Sequence, residues 1–163
     1  MKEYIVSIAI FDFDGTLFDD RHRLHLLEGE HKDYKKYNSL LINDPAFPDV
    51  VDAVISHWLH KDRIFFLTGR TEDCGADTLN WLHKYLPQEL VDNVTIYMRG
   101  TGDHRSTVDM KRATINMLSE KYRILAFYDN DDDNLAMAAE FHIDTIYRCE
   151  NGEIAIYKER DNG

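Results

Sequence analysis

The sequence predicts an α/β domain built on a mostly parallel sheet, and two observations carry that prediction. Strand-like apolar runs alternate along the chain with stretches of helical periodicity. Several of those runs end in acids, a hydroxyl or a glycine, the residue types found where ligands meet the carboxyl ends of parallel strands.

Tyr4 to Phe11 reads as the first strand, and it opens directly into Asp12-Phe13-Asp14-Gly15-Thr16. The polar stretch from Arg21 to Phe47, closed by Pro45 and Pro48, breaks the alternation and reads as a small helical insertion over one end of the sheet. Asp49 to His60 places Val50, Val54 and Trp58, and likewise Val51, Ile55 and Leu59, at helical spacing. A second strand spans Arg63 to Leu67 and ends at Thr68-Gly69-Arg70. Leu79, Leu82 and Leu86 mark the next helix, and Asn93 to Met98 a third strand. Thr107 to Lys121 reads as a helix, and the run from Arg123 as a fourth strand ending at Asp129. Asp132 to Phe141 reads as the last helix, with one of Asp131, Asp132 and Asp133 as its N-cap. A fifth strand from Ile143 turns at Asn151-Gly152 into a hairpin, and Glu159 to Gly163 reads as a frayed tail.

At 163 residues the chain has the size and apolar content of one domain, residues 1–163. Its net charge of -11 argues against tight binding of long nucleic acid, which needs a basic surface, but leaves open a small phosphorylated substrate held by local cations. The two cysteines, Cys74 and Cys149, form no CxxC, and Cys74 has no basic neighbour to make it a reactive thiol. Met1-Lys2-Glu3 leads straight into the first strand without a signal peptide, and no apolar stretch is long enough to span a bilayer, so a cytoplasmic location with no membrane contact is expected. Eight histidines include His22 and His25 at i, i+3, but with no HExxH or Cys/His cluster they read as exposed polar residues rather than zinc ligands.

Two carboxylates at the mouth of a buried strand are costly unless paired or metal-bound. Asp12 and Asp14, Thr68, Asp129 and Lys111 come from four separate segments to one rim of the sheet. Paired acids suit a hard cation such as Mg2+, and a lysine with a hydroxyl suits phosphate oxygens as charge develops. The residues point to metal-assisted phosphoryl transfer.

Those segments, "DFDGTLFDD", "LTGR", Lys111 and "YDNDDDN", resemble the four motifs of the haloacid dehalogenase (HAD) superfamily of phosphatases across nearly the whole chain. "HRL" and "MRGTGDHRSTVDMKRATI" are most similar to the 3′-phosphatase module of bacteriophage-type polynucleotide kinases, although no P-loop GxxxxGK[ST] accompanies them. The resemblance implies a three-layer Rossmann-like fold and an aspartyl-phosphate mechanism. It makes Asp12 the nucleophile and Asp14 the general acid and base, a role for which a raised pKa is expected. Gly15 permits the sharp turn, Thr16 adds a hydrogen bond, Thr68 binds the transferring group and Lys111 neutralises it. Mg2+ sits on Asp12, the backbone carbonyl of Asp14, and Asp129. Arg23, Gly69, Arg70 and Arg105 fall on the substrate side.

The chain departs from that pattern twice. Where the family has two adjacent acids, it has Asp129-Asn130, leaving Asn130 or Asp133 to complete the metal site. Four residues before Lys111, where the family has an acid, stands Thr107, with Asp103 and Asp109 nearby. The expected substrate is a phosphorylated nucleotide or a nucleic-acid 3′ end, the alternative a 5′-nucleotidase or small-metabolite phosphatase. A phospho-accepting receiver is disfavoured, because there the reactive Asp follows a middle strand; a non-catalytic phosphate-binding module is disfavoured by the intact Asp12 and Asp14. Among the aromatics, Tyr34 and Tyr37 are candidates for stacking on a base, while Trp58 lies on an amphipathic stripe and reads as core.

Overall fold

The computed structural model of the protein describes residues 6–161. Six strands form one sheet: β1 (Ser7–Phe11), β2 (Arg63–Thr71), β3 (Thr95–Arg99), β4 (Arg123–Asp129), β5 (Ile143–Glu150) and β6 (Glu153–Glu159). Their spatial order is β3-β2-β1-β4-β5-β6, with all neighbours parallel except the β5/β6 hairpin. The strand order therefore reverses beside β1, and the crevice at such a reversal is where open α/β sheets take their ligands.

Alternation along the strands sends side chains to two helical layers. Ala9, Phe11, Ile64, Phe66 and Tyr128 face one apolar cluster. It is closed by Val50 and Val54 of α2 (Pro48–Leu59) and Trp81 and Leu82 of α3 (Gly75–Tyr85). Ile8, Ile10, Phe65, Leu67 and Phe127 face the other. There Met110, Ile115 and Leu118 of α5 (Thr107–Lys121) and Leu135 and Ala138 of α6 (Asp132–Ala138) close the core. This is the expected three-layer arrangement.

The insertion folds as a 3-10 turn (Arg21–Leu27), a short helix α1 (Tyr34–Ser39) and a second 3-10 turn (Leu41–Asn43). It is stitched to the body where Trp81 Nε1 donates to the Asp44 carbonyl at 2.8 Å and Phe18 stacks on Trp81.

Several boundaries differ from the sequence reading. Tyr4 and Ile5 of the first predicted strand lie outside the described residues. β2 continues through Thr68-Gly69-Arg70 to Thr71, with a register break between Leu67 and Thr71 as it leaves its pairing with β3. α3 buries Thr78, Trp81 and Leu82 and leaves Leu79 exposed, because the large Trp81 ring takes the core position. A one-turn helix α4 (Gln88–Val91) follows Pro87 and was not foreseen. The tail is tied down as far as Arg160, whose N–H donates to the Asp144 carbonyl at 2.8 Å. Among the described residues no helix is long and apolar enough to cross a membrane.

Candidate active site

A cleft of about 1090 Å³ opens over the carboxyl ends of β1, β2 and β4, with Asp12, Asp14, Thr68, Lys111 and Asn130 on its lining. The chain is turned into it immediately after β1. Thr16, Leu17 and Phe18 all donate backbone N–H groups to the Phe13 carbonyl, and Gly15 sits at φ +80. A Cβ at Gly15 would also run into the Asn130 amide, so both the backbone angle and the space demand glycine.

Asp12 is buried at the floor. Lys111 Nζ reaches its Oδ1 at 2.9 Å and Asp129 Oδ2 at 2.7 Å, so one buried cation joins two buried carboxylates. Burial, then the neighbouring Asp129 charge, push the Asp12 carboxyl up to about 7 against the pull of Lys111. The Lys111 ammonium is disfavoured by burial, yet Asp12 and Asp129 outweigh that and hold its pKa above the ordinary lysine range. Thr16 donates to Asp12 Oδ2 at 3.3 Å from beneath the cleft floor.

Asp14 corrects an expectation. Burial raises its pKa, but Arg70 and then Arg23 outweigh burial by charge and hydrogen bonding, and the net shift is downward. Arg70 Nε and Nη2 donate at 3.0 and 2.6 Å, and Arg23 Nη2 at 2.5 Å. The raised pKa expected for a general acid is therefore absent while both guanidiniums hold Asp14.

Arg23 is also placed differently from the expectation. It is fully buried and absent from the cleft lining, spent on Asp14, on both oxygens of Asp44, and on the Tyr37 carbonyl at 3.2 Å. It ties the insertion to Asp14 rather than facing solvent. Arg23→Met leaves buried Asp44 with the His22 imidazole, 2.6 Å from its Oδ1, as its remaining side-chain partner, and the expected result is a loss of roughly 3–5 kcal/mol of stability in denaturant titration. Gly69 and Arg70 line the cleft, and Arg105 does so from an exposed position paired with Asp103. Thr68 is buried in the lining, its Oγ1 accepting the Arg70 N–H at 3.1 Å.

Of the two residues expected to complete the metal site, Asn130 lies beside Asp12 and Asp133 does not reach the cleft. Asp131 caps α6 by accepting the N–H groups of Asp133 and Asn134, which turns Asp133 to the exposed surface away from the cleft. Asn134, one step further round the helix, is buried and donates to both oxygens of Asp129 at 3.3 and 3.2 Å, while its own Oδ1 is buried without a partner. Asp129 is thus occupied by Lys111, Asn134 and the Asp131 N–H. Asp44 and Asn134 were both missed; Asp44 lies in an ordinary-looking Asn-Asp-Pro turn, whereas the five-residue spacing from Asp129 could have flagged Asn134.

Among the described residues no three His, Cys, Asp or Glu side chains converge as a metal cage. A smaller polar cluster sits beside Asp12, and which atom Asn130 presents to it depends on how its amide is turned. With its Oδ1 turned inward Asn130 faces only acceptors, and the opposite orientation brings its nitrogen to 3.1 Å from both Asp12 Oδ2 and the Asp14 carbonyl. A carboxylate, a carbonyl and an amide around one point fit a hard cation that keeps most of its waters.

The family model for the polynucleotide kinase PNKP phosphatase domain matches residues 6–153. The chain belongs to that family. It is a HAD-type phosphatase domain, a phosphoric monoester hydrolase. Among solved structures, the domain resembles a chain of a Pnkp1/Rnl/Hen1 complex, with 21% identity and a TM-score of 0.71 over 94% of this chain and 49% of that one. A chain of the Pnkp1/Rnl/Hen1 RNA repair complex aligns at 23% identity and a TM-score of 0.63, covering 81% of this chain and 38% of that one. The class C acid phosphatase from Bacillus anthracis with tungstate bound aligns at 16% identity and a TM-score of 0.61, covering 81% and 54%. The phosphatase domain thus spans half or less of the first two chains it matches. No curated protein matches it significantly.

Proposed function

We propose that this phosphatase domain removes phosphate from nucleic-acid 3′ ends or 3′-nucleotides by way of an aspartyl-phosphate on Asp12. The observation that carries the reading is the Asp12–Lys111–Asp129 bridge on the cleft floor, two residues from an arginine-clamped Asp14. Asp12 attacks phosphorus as the bond to the leaving oxygen breaks, and that oxygen takes a proton from Asp14. Water then attacks the same phosphorus, gives its proton to Asp14, and breaks the bond to Asp12. Lys111 and the Thr68 hydroxyl stabilise the charge on the phosphoryl oxygens. A substrate phosphate competes with Asp14 for Arg70, and releasing that guanidinium lets the Asp14 pKa rise toward what a proton donor needs.

Mg2+ would be held by Asp12, the Asp14 carbonyl and Asn130, with Asp129 instead fixing Lys111. When bound it supplies neutralisation of phosphoryl charge beside the nucleophile. With one carboxylate rather than two adjacent acids, affinity is expected to be modest. Chelation by EDTA should stop turnover and millimolar Mg2+ restore it; Mg2+ should also raise the unfolding temperature of inactive Asp14→Asn protein, since binding the folded state alone stabilises it. Full activity in EDTA would exclude the cation.

The family match supports a polynucleotide substrate, while the net charge of -11 and a lining in which acids outnumber lysines and arginines disfavour a long strand. Turnover of 3′-phosphorylated oligonucleotides should exceed that of their 5′-phosphorylated counterparts, with little gain as the strand lengthens and a shallow salt slope. A steep rise with length would reveal an extended groove. Preference for 5′-nucleotides or sugar phosphates would favour a metabolite phosphatase.

A further inference from the structure

Of the aromatic side chains with sequence contexts suited to a base, Tyr34 and Tyr37 both line the cleft, and the fold leaves only Tyr34 of the two exposed there. Tyr37 is buried, its hydroxyl donating to Asp20 Oδ2 at 2.6 Å and its ring lying 4.0 Å from the Arg23 guanidinium. Trp58 packs against the core. Tyr34, the first residue of α1, is 56% exposed, and its side chain makes no hydrogen bond or ring contact with any described residue. It lines the same cleft as Asp12 and Lys111, beside Leu27, Asn38 and Ser39. The other exposed apolar side chains of the insertion, Leu24 and Ile42, do not line it.

The cleft is asymmetric. Away from the insertion its wall is ionic, with Asp73, Asp77, Arg99, Asp103 and Arg105. The insertion side carries Lys35 as well, but there Tyr34 and Leu27 put apolar surface on the cleft, whereas the far wall offers only the His104 ring and the buried Cys74 among its charges. A ligand whose phosphate is held on the floor and whose flat apolar end points outward finds its larger apolar wall on the insertion side. The platform is also preorganised: Asp33 caps α1 through the Lys36 N–H at 3.0 Å, and Tyr37, one turn after Tyr34, is pinned by Asp20 and Arg23. With the backbone already fixed, only the ring's own rotamer is left to settle when a ligand covers it.

We propose that Tyr34 is the stacking platform for the nucleobase of the 3′-terminal nucleotide, and so a specificity-determining residue. The inference rests on the nucleotide reading of the substrate. A base on a tyrosine face gains affinity largely regardless of its identity, with purines favoured by their larger area.

The test compares kcat/KM for adenosine 3′-phosphate, cytidine 3′-phosphate and glycerol 2-phosphate, which has no base, in wild-type, Tyr34→Ala and Tyr34→Trp proteins. Tyr34→Ala should lower the nucleotide-to-glycerol-phosphate ratio by about tenfold, through KM rather than kcat, with the larger loss on the purine. Tyr34→Trp should keep the ratio. An equal loss on glycerol phosphate would reduce Tyr34 to a structural part of α1, and an unchanged nucleotide KM in Tyr34→Ala would overturn the platform while leaving the nucleotide reading intact. Wild-type protein that hydrolyses glycerol phosphate but neither nucleotide would remove the substrate reading and this inference together.

Discussion

Asp12→Asn should lower kcat by on the order of 10^4-fold or more while the protein still folds, because an amide cannot form the covalent intermediate. The same substitution should change stability in an instructive direction. Burial and Asp129 push the Asp12 carboxyl from its ordinary value of 3.8 up to about 7. An acid whose folded pKa is raised binds its proton more tightly in the folded state. In the metal-free protein, stability should therefore fall as pH rises from about 4 through 7. Asp12→Asn should flatten that slope and leave the metal-free protein at least as stable as wild type above neutral pH. Melting curves across pH with EDTA present, alongside steady-state rates, check both halves. A variant with near-normal turnover would end the assignment of Asp12 as nucleophile.

Lys111→Met should be the most damaging change to the fold within the site. The ammonium is buried between Asp12 and Asp129, and its loss leaves two buried carboxylates facing one another. Breaking a buried pair from one side costs about 3–5 kcal/mol, and here one cation serves two acids. Turnover should collapse as well, since the same group faces the transferring phosphoryl. Lys111→Arg keeps the charge but not the compact shape, and should recover much of the stability with little of the activity. A Lys111→Met protein as stable as wild type would mean that the bridge does not carry the charge balance of the floor.

How much of this was legible in the sequence depends on the range of the forces involved. Alternation and helical spacing report local burial, so the parallel sheet and its main helices could be read from residues such as Ile8–Phe11 and Val50–Val54. The floor was legible because Asp12, Thr68, Lys111 and Asp129 each sit at or near a strand end or helix start, where topology alone carries them to one rim. Long-range partners were not. Asp44 gives no local sign that it neutralises Arg23 twenty-one residues earlier, and without it Arg23 reads as a solvent-facing cation. The clamping of Asp14 by Arg23 and Arg70 reverses the pKa shift that a neighbouring carboxylate and burial suggested. Asp133 and Asn134 differ by one step of a helix whose phase is set by the Asp131 cap, and composition alone could not fix that phase. Trp81 displaced Leu79 from the core for a similar reason: both satisfy helical spacing, and packing against Phe18 chose between them.

The stereochemical course at phosphorus tests the central claim most directly. A nucleoside 3′-phosphorothioate made chiral at phosphorus with two oxygen isotopes would be hydrolysed in water labelled with the third, and the configuration of the released thiophosphate determined. Transfer first to Asp12 and then to water is two in-line displacements, and each inverts the centre. Net retention is the predicted result. Net inversion would mean that water attacks the substrate directly, and Asp12 would then not be the nucleophile.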